Sequence, residues 1–360
     1  MPNKARQSCL FQALLGLIKN RKVQLPSIAE GMKIEGDSIQ VKSIEHRLGD
    51  FFKEAEFNYE TLALLLVLCL GEKGKIRLCI DRTEWDFGQC QVNILMVIAC
   101  QGQRQVPLYW ELLDNKSGNS SSEDRINLLE KVVALLGVER IGIVIADREF
   151  IGHTWLKYLK NKGIHFCIRV PRAHLIHRWD GLEQTAIELL QGQKIDQALY
   201  LKDCMVDGVW VQVYLKKLAD GDILYLIGTV AEAKHLGTIY RNRWTIETVF
   251  QSFKSRGFDL ESSHLKHLDR LRKLVGLVSL AYAFCVSLGI HQHEKVQKIK
   301  VKKHGYKEKS FCRVGIELIQ DLTKQTVQVF ENVFEKFFRY LRLQQTKFTK
   351  NKLKHSLSDT

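Results

Sequence analysis

Three acidic residues stand out for the chemistry they can do together: Asp81, Asp147 and Glu247. Asp81 closes the apolar run IRLCID, and Asp147 closes the nearly continuous apolar run IGIVIAD. Both runs read as strands, the second of the kind buried on both faces. If the strands are neighbours, the two carboxylates emerge at one edge of a sheet. A charge there is costly unless it is paired or used. Either aspartate alone is an ordinary turn residue, so the pair is suggestive and not decisive. Carboxylates gathered at one place suit hard divalent cations, which take oxygen ligands and leave positions open for phosphate oxygens.

The third acid brings more with it. In IYRNRWTIETVFQSFKSRGF, Tyr240, Arg243, Glu247 and Lys254 stand at i, i+3, i+7 and i+14. On one continuous helix they fall at roughly 0°, 300°, 340° and 320°, a single narrow stripe. The apolar Ile246, Val249, Phe250 and Phe253 fall between roughly 180° and 280°. The polar stripe therefore borders the buried face, whereas an ordinary amphipathic helix turns its charges away from the core. A surface ion-pair ladder is a weaker reading, because Arg243 before Glu247 is the poorer i,i+4 order. Other polar residues are discounted. Glu84 and Asp86 read as shaping a turn after Asp81. Arg148 and Glu149, which flank Asp147, read as an ion pair behind the acids as readily as direct participants. His264 and His267, like His291 and His293, have metal-like spacing but no partner pair, which argues against zinc.

The elements that must position these residues follow from the pattern. Residues 8 to 70 read as three or four short helices, with starts at Ser27 after Pro26 and at Asp37-Ser38. They suit a helix-turn-helix-like module presenting Lys42, His46, Arg47 and Lys53 to DNA, or equally a plain helical bundle. KIRLCID, QVNILMVIAC and QVPLYWELLD then read as a three-stranded meander. The helix SSEDRINLLEKVVALLG, the strand IGIVIAD, the helix HTWLKYLKNKG and the strand HFCIRV follow. The order β-β-β-α-β-α is that of an RNase H-like fold, an α/β mixed sheet with helices on both sides. Residues 173 to 230 are strand-rich, with turn dipeptides Asp207-Gly208 and Asp220-Gly221, and read as a β-rich insertion. The expected organisation is an N-terminal helical DNA-binding region (1–72), a first part of the catalytic core (73–172), the insertion (173–230), a second part of the core (231–292) and a basic C-terminal helical region (293–360).

Composition narrows the partners. The 360 residues carry 54 Lys and Arg against 40 Asp and Glu, a net charge of +14. Between Lys295 and Thr360 there are 16 basic and 6 acidic residues, so most of the surplus lies in the last fifth of the chain. Such a surplus draws a protein to a polyanion, of which nucleic acid is the commonest. The nine cysteines are scattered, with no CxxC, which argues against a disulfide framework or a zinc ribbon. With no signal peptide at MPNKARQSCLF, a cytoplasmic, nucleoid-associated location is expected. Leu274 to Ile290 lacks charge but contains Gly276, Ser279, Ser287 and Gly289, and reads as a buried core helix with no role at a membrane.

The sequence resembles the IS4-family transposases of the DDE class. The second aspartate sits in IADREFIG, and Tyr240-x2-Arg243-x3-Glu247-x6-Lys254 is the family's Y-R-E-K signature without a gap. The third acid lies 100 residues past the second, where the family inserts a β-rich segment. The likeness extends from the N-terminal helices to KKHGYKEKSFCRVG. It implies a DNA transposase in which Asp81, Asp147 and Glu247 bind two Mg²⁺ ions, with Mn²⁺ able to substitute. In that scheme water nicks the transposon end and the freed 3′ hydroxyl attacks target DNA. Tyr240, Arg243 and Lys254 would grip phosphates, Arg243 as a planar fork and Lys254 as a point charge. Implied partners are double-stranded DNA, as terminal inverted repeats and target, and a second copy of the chain in a dimer on DNA. Some family members pass through a DNA hairpin and stack a flipped base on a Trp in the insertion. The comparable strand here, DILYLIGT, offers Tyr225 instead; Trp210 is a second candidate, though it reads more readily as a core residue. Another RNase H-like nuclease would share the acids without needing the stripe or the insertion. A non-catalytic, transposase-derived DNA-binding protein would not need all three acids.

Overall fold

Four helices open the chain: α1 (Lys4–Asn20), α2 (Leu25–Met32), α3 (Val41–Glu54) and α4 (Tyr59–Leu70). The computed structural model describes residues 4–33, 38–71, 74–87, 90–113, 118–254, 256–265, 267–303 and 305–325. Pro26 sits in the first turn of α2, where its missing N–H costs nothing. Asn58 caps α4 by accepting the Thr61 amide at 2.8 Å. The start expected at Asp37 lies outside the described residues, and α3 begins three residues beyond Ser38. Ile44, Leu48, Phe51 and Phe52 of α3 enter the core, while Lys42, His46, Arg47 and Lys53 stay exposed.

The meander follows as β1 (Ile76–Phe87), β2 (Cys90–Gln101) and β3 (Arg104–Leu113), all antiparallel. Helix α5 (Ser122–Leu136) starts with a capping box between Ser121 and Asp124 and ends at Gly137, whose φ of 77° favours glycine. Then come β4 (Ile141–Ala146), α6 (His153–Asn161) and β5 (Phe166–Arg169). Strands β4 and β5 run parallel to β1, which gives the order β3-β2-β1-β4-β5. Three antiparallel strands continued by two parallel ones, with α5 and α6 as the crossovers, form the RNase H-like arrangement that the element order implied.

The segment after β5 supplies β6 (Leu175–His177), β7 (Glu183–Thr185), α7 (Ala186–Leu189), β8 (Ala198–Val206), β9 (Val209–Lys217) and β10 (Ile223–Gly228). These strands do not form a separate sheet. Strand β10 pairs antiparallel with β5, and the sheet continues through β9, β8 and β6 to β7, ten strands in all. Pairing here covers the edge that β5 would otherwise expose. The β8–β9 turn is Asp207-Gly208, with φ of 47° and 71°, as a two-residue hairpin requires.

The chain returns to the sheet through α8 (Leu236–Tyr240), a 3-10 turn (Arg241–Arg243) and α9 (Trp244–Phe253). Helices α10 (Leu268–His291) and α11 (Phe311–Gln325) follow. By length and composition α10 is apolar enough to cross a membrane, yet 78% of its apolar window is buried, against α1, α4, α11 and β3. That is the place of a core helix. The C-terminal segment FEKFFRYLRL lies outside the described residues.

Candidate active site

Strand register puts the first two acids together. The parallel pairing of β1 with β4 ends at Ile80 opposite Ala146, and the next residues are Asp81 and Asp147. Asp81 does not end its strand, as its position in IRLCID had suggested. Strand β1 runs on to Phe87 paired with β2, so Glu84 and Asp86 are strand residues and not part of a turn. What ends at Asp81 is the ladder to β4. There the chain beyond Ala146 leaves the sheet as a 3-10 turn (Arg148–Phe150), with Asp147 capping it by accepting the Arg148 amide at 2.8 Å.

Glu247 arrives from the other side. Trp85 lies four residues after Asp81, on the same face of β1. Its ring is packed edge-on against Phe250 and at a tilt against Phe253, with centroids 6.4 Å away in each case. Those contacts seat α9 on the strand, and Glu247 stands one turn before Phe250. The turn ahead of α9 is fixed as well: Arg77 on β1 donates to Asn242 Oδ1 at 2.6 Å.

Arg243 joins the acids. Its Nη1 donates to Asp81 Oδ2 at 3.1 Å, and its Nη2 donates to Glu247 Oε1. Tyr240 donates its hydroxyl to Asp147 Oδ1 at 3.1 Å, and the Arg243 guanidinium lies 5.8 Å from the Tyr240 ring centre. Burial pushes the Asp81 carboxyl up to about 6, with the Asp147 and Glu149 charges adding to the rise; the Arg82 amide and Arg243 pull the other way. Burial also raises the Tyr240 phenol, helped by the Asp147 carboxylate. Burial works against the Arg243 charge, but Tyr240, Asp147, Asp81 and Glu247 outweigh it and hold the guanidinium above its ordinary value. Among the described residues, no three His, Cys, Asp or Glu side chains stand close enough to share one ion. Arg243 is what lies between Asp81 and Glu247.

Tyr240, Arg243 and Glu247 thus meet the two aspartates. Lys254 and Tyr225 do not. Helix α9 ends at Phe253, Lys254 is extended, and its amine pairs with Glu261 at 3.0 Å. The single continuous helix that placed Lys254 on the stripe is broken twice, by the 3-10 turn and by this stop. Tyr225 is fully enclosed in the sheet, so its ring offers no face to a base. Trp210, read as core, is instead 45% exposed on β9. The two aromatic residues have exchanged the expected places.

Two features were missed or underweighted in the sequence. One is an ion pair behind the acids, Arg82 Nε to Glu149 Oε2 at 3.1 Å. Its signal is adjacency, since Arg82 follows Asp81 directly and Glu149 follows Asp147 by two. The other is a 530 Å³ cleft lined by Arg148, Arg169, Arg172, Asp220 and Asp222. Asp222 pairs with Arg169 at 2.7 Å and lies 3.9 Å from Arg148. The Ile223 amide, then Arg169 and Arg148, hold its carboxyl below the usual range.

Comparison with known proteins agrees on the class. A family model described as the transposase DDE domain matches residues 73–284. Among solved structures, the piggyBac transposase synaptic complex with hairpin DNA, determined by cryo-EM, is 13% identical with a TM-score of 0.49, covering 95% of this chain and 76% of that one. The crystal structure of the NurA nuclease from Sulfolobus solfataricus is 11% identical with a TM-score of 0.24, covering 71% and 96%. Both scores fall below 0.5, and neither likeness says what this chain does. No curated protein matches the sequence.

Proposed function

The chain belongs to the transposase DDE domain family, and from that premise we propose that it is the transposase of an IS4-type insertion sequence, with Asp81, Asp147 and Glu247 as its catalytic acids. The observation that carries this reading is the convergence of the three acids with Tyr240 and Arg243 at the end of the β1–β4 ladder. Members of the family use divalent metal ions. The donors here fit such ions, since carboxylate oxygens are the hard ligands that Mg²⁺ prefers. Asp81 and Glu247 already share one cation, the Arg243 guanidinium, so this part of the site is built around positive charge. Two Mg²⁺ ions, or Mn²⁺ in their place, held by Asp81, Asp147 and Glu247 would supply Lewis acidity to the attacking and leaving oxygens of an in-line displacement.

The residues of the chain do the rest. Backbone amides of Arg82 and Arg148 each hold one oxygen of Asp81 and Asp147 and so fix the carboxylate orientations. Tyr240 and Arg243 sit where a phosphodiester would approach, and Arg243 offers a planar fork to its oxygens. In the first step water adds to phosphorus at the transposon end, and the bond to the 3′ oxygen breaks. In the second, that 3′ hydroxyl attacks a target phosphodiester and displaces its 3′ oxygen, so the number of phosphodiester bonds is conserved. Double-stranded DNA, both terminal inverted repeat and target, is the substrate, with two copies of the chain pairing two ends. The basic excess of the chain, in the cytoplasm and nucleoid, serves that encounter.

A labelled DNA end carrying the element's terminal repeat, incubated with a target plasmid and Mg²⁺ or Mn²⁺, tests the reading. Joined product that disappears in Glu247→Ala supports a transposase. Cutting of branched junctions or RNA hybrids alone points to another RNase H-like nuclease. DNA binding without cutting, equal in both proteins, points to a non-catalytic relative.

A further inference from the structure

We infer that Arg243 is a built-in cation that closes the carboxylate site to metal until DNA phosphate draws it away. The inference rests on the metal-binding reading of Asp81 and Glu247 and concerns the regulation of that site.

The argument begins with charge. The side chains of Asp81, Glu247 and Arg243 are 16%, 28% and 15% exposed. Two acids this enclosed need positive charge beside them, and one guanidinium bridges both, with Nη1 to Asp81 Oδ2 and Nη2 to Glu247 Oε1. A divalent ion placed on the same two oxygens would sit against Arg243, and like charges so close in an enclosed site repel strongly. Among the described residues, no three acidic side chains stand close enough to share an ion. The third acid, Asp147, is engaged separately by the Tyr240 hydroxyl.

Arg243 needs another anion before it leaves, because an enclosed guanidinium without a partner is costly. A DNA phosphate meets that need, as the same fork that spans two carboxylates accepts two phosphate oxygens. Arg243 is also placed to change partners by side-chain rotation alone. It ends the 3-10 turn before α9, and β1 holds that turn through two bonds, Arg77 to the Asn242 side chain and the Cys79 thiol to the Asn242 carbonyl at 3.7 Å. DNA then raises metal affinity, and by linkage metal raises DNA affinity by the same factor.

The experiment reads metal directly. Manganese binding is followed by the paramagnetic resonance signal of free Mn²⁺, without DNA, in the wild-type chain, Arg243→Gln, Arg243→Lys and Arg243→Gln/Asp81→Asn. Arg243→Gln is expected to bind Mn²⁺ on the order of tenfold more tightly than wild type. Arg243→Lys, which keeps a charge but lacks the planar fork that places one nitrogen on each carboxylate, is expected to gain less in the same direction. If Arg243→Gln does not give the wild-type circular dichroism spectrum, the Lys variant decides alone. A short duplex, with its own Mn²⁺ binding subtracted, is expected to tighten the wild-type site and leave the Gln variant unchanged. Variant affinity equal to or below that of wild type overturns the inference. A gain that survives in the Arg243→Gln/Asp81→Asn chain shows that the metal sits elsewhere, and then the metal-site reading itself fails.

Discussion

Arg82 and Glu149 pair at 3.1 Å, and through them the strand that carries Asp81 is tied to the turn that carries Asp147. Both side chains are largely enclosed, at 14% and 16% exposure. Arg82 also reaches Asn93 Oδ1 on β2 at 3.1 Å. Glu149 accepts the Ser120 hydroxyl at 3.4 Å, and Ser120 is held in turn by the buried Arg125. If the acids bind metal as proposed, partners of this kind one step behind them typically change activity by about 10–100-fold when removed. Glu149→Gln is therefore expected to lower DNA-end cleavage by about that factor and stability by roughly 1–3 kcal/mol, the cost of leaving an enclosed charge short of partners. Arg82→Gln/Glu149→Gln is expected to be little worse than the poorer single variant, because the two side chains act as one unit. Cleavage rates and urea melts of the three variants check this, and additive losses would refute it.

The Asp81 carboxyl titrates at about 6 in the fold, against an ordinary value of about 3.9. The native chain thus holds a proton that the unfolded chain has already released between those pH values. Stability of the metal-free protein falls as pH rises through that window, and above it the full cost is present. Asp81→Asn removes that cost. In EDTA it is expected to raise the melting temperature at pH 7.5, by an amount corresponding to at most about 3 kcal/mol, and to confer no gain below pH 4. Thermal melts at the two pH values decide. A loss of stability at pH 7.5 would show that pairing with Arg243 outweighs burial.

Tyr225 was expected to face DNA and is buried instead, with its hydroxyl lacking a hydrogen-bond partner among the described residues. Tyr225→Phe is expected to be neutral or stabilising by up to about 1 kcal/mol, since an unsatisfied hydroxyl is lost and the ring stays. Tyr225→Ala is expected to cost about 3–5 kcal/mol as a core cavity. Cleavage by the Phe variant should match wild type. Loss of cleavage with unchanged stability would return the residue to the DNA.

Lys254 pairs with Glu261, and both side chains are more than a third exposed. Such a pair contributes roughly 0–1 kcal/mol, so Lys254→Ala should barely move the melting temperature. If Lys254 exchanges Glu261 for a DNA phosphate, the variant weakens DNA binding and lowers the salt slope by about 1. Binding measured over a series of salt concentrations reads this, and an unchanged slope removes Lys254 from the DNA interface.

How far the sequence reached depended on which physical signal each residue carried. The nearness of Asp81 and Asp147 was legible because apolar runs mark strands, although at Asp81 the end of the run marks the end of the ladder to β4 and not the end of the strand. Glu247 and Arg243 were legible because they are four residues apart, close enough for helical spacing to hold across a short 3-10 turn. Lys254 was not, because spacing assumes a helix that continues. The stop comes from Gly257, which brings the chain so close to Ser252 that a Cβ there would lie 1.8 Å from its carbonyl oxygen. The Phe258 amide then bonds to that carbonyl at 3.0 Å. Tyr225 was misplaced because ILYLIG has apolar residues on both sides of the strand, so alternation does not say which face is covered; in VWVQV the alternation does point outward, since Trp210 shares its face with Gln212 while Val209, Val211 and Val213 are buried. That β10 would pair with β5 and extend one sheet was not legible either, since strand pairing between distant segments leaves no local trace.

The central claim, that these acids are metal ligands for DNA cleavage, is tested most directly by changing one ligand's affinity for metal. A thiolate in place of the Asp81 carboxylate disfavours Mg²⁺ and is better tolerated by the softer Mn²⁺. Cleavage of a labelled DNA end by Asp81→Cys is predicted to be lost in Mg²⁺ and restored in Mn²⁺. Cleavage in Mg²⁺ at the wild-type rate would contradict the account.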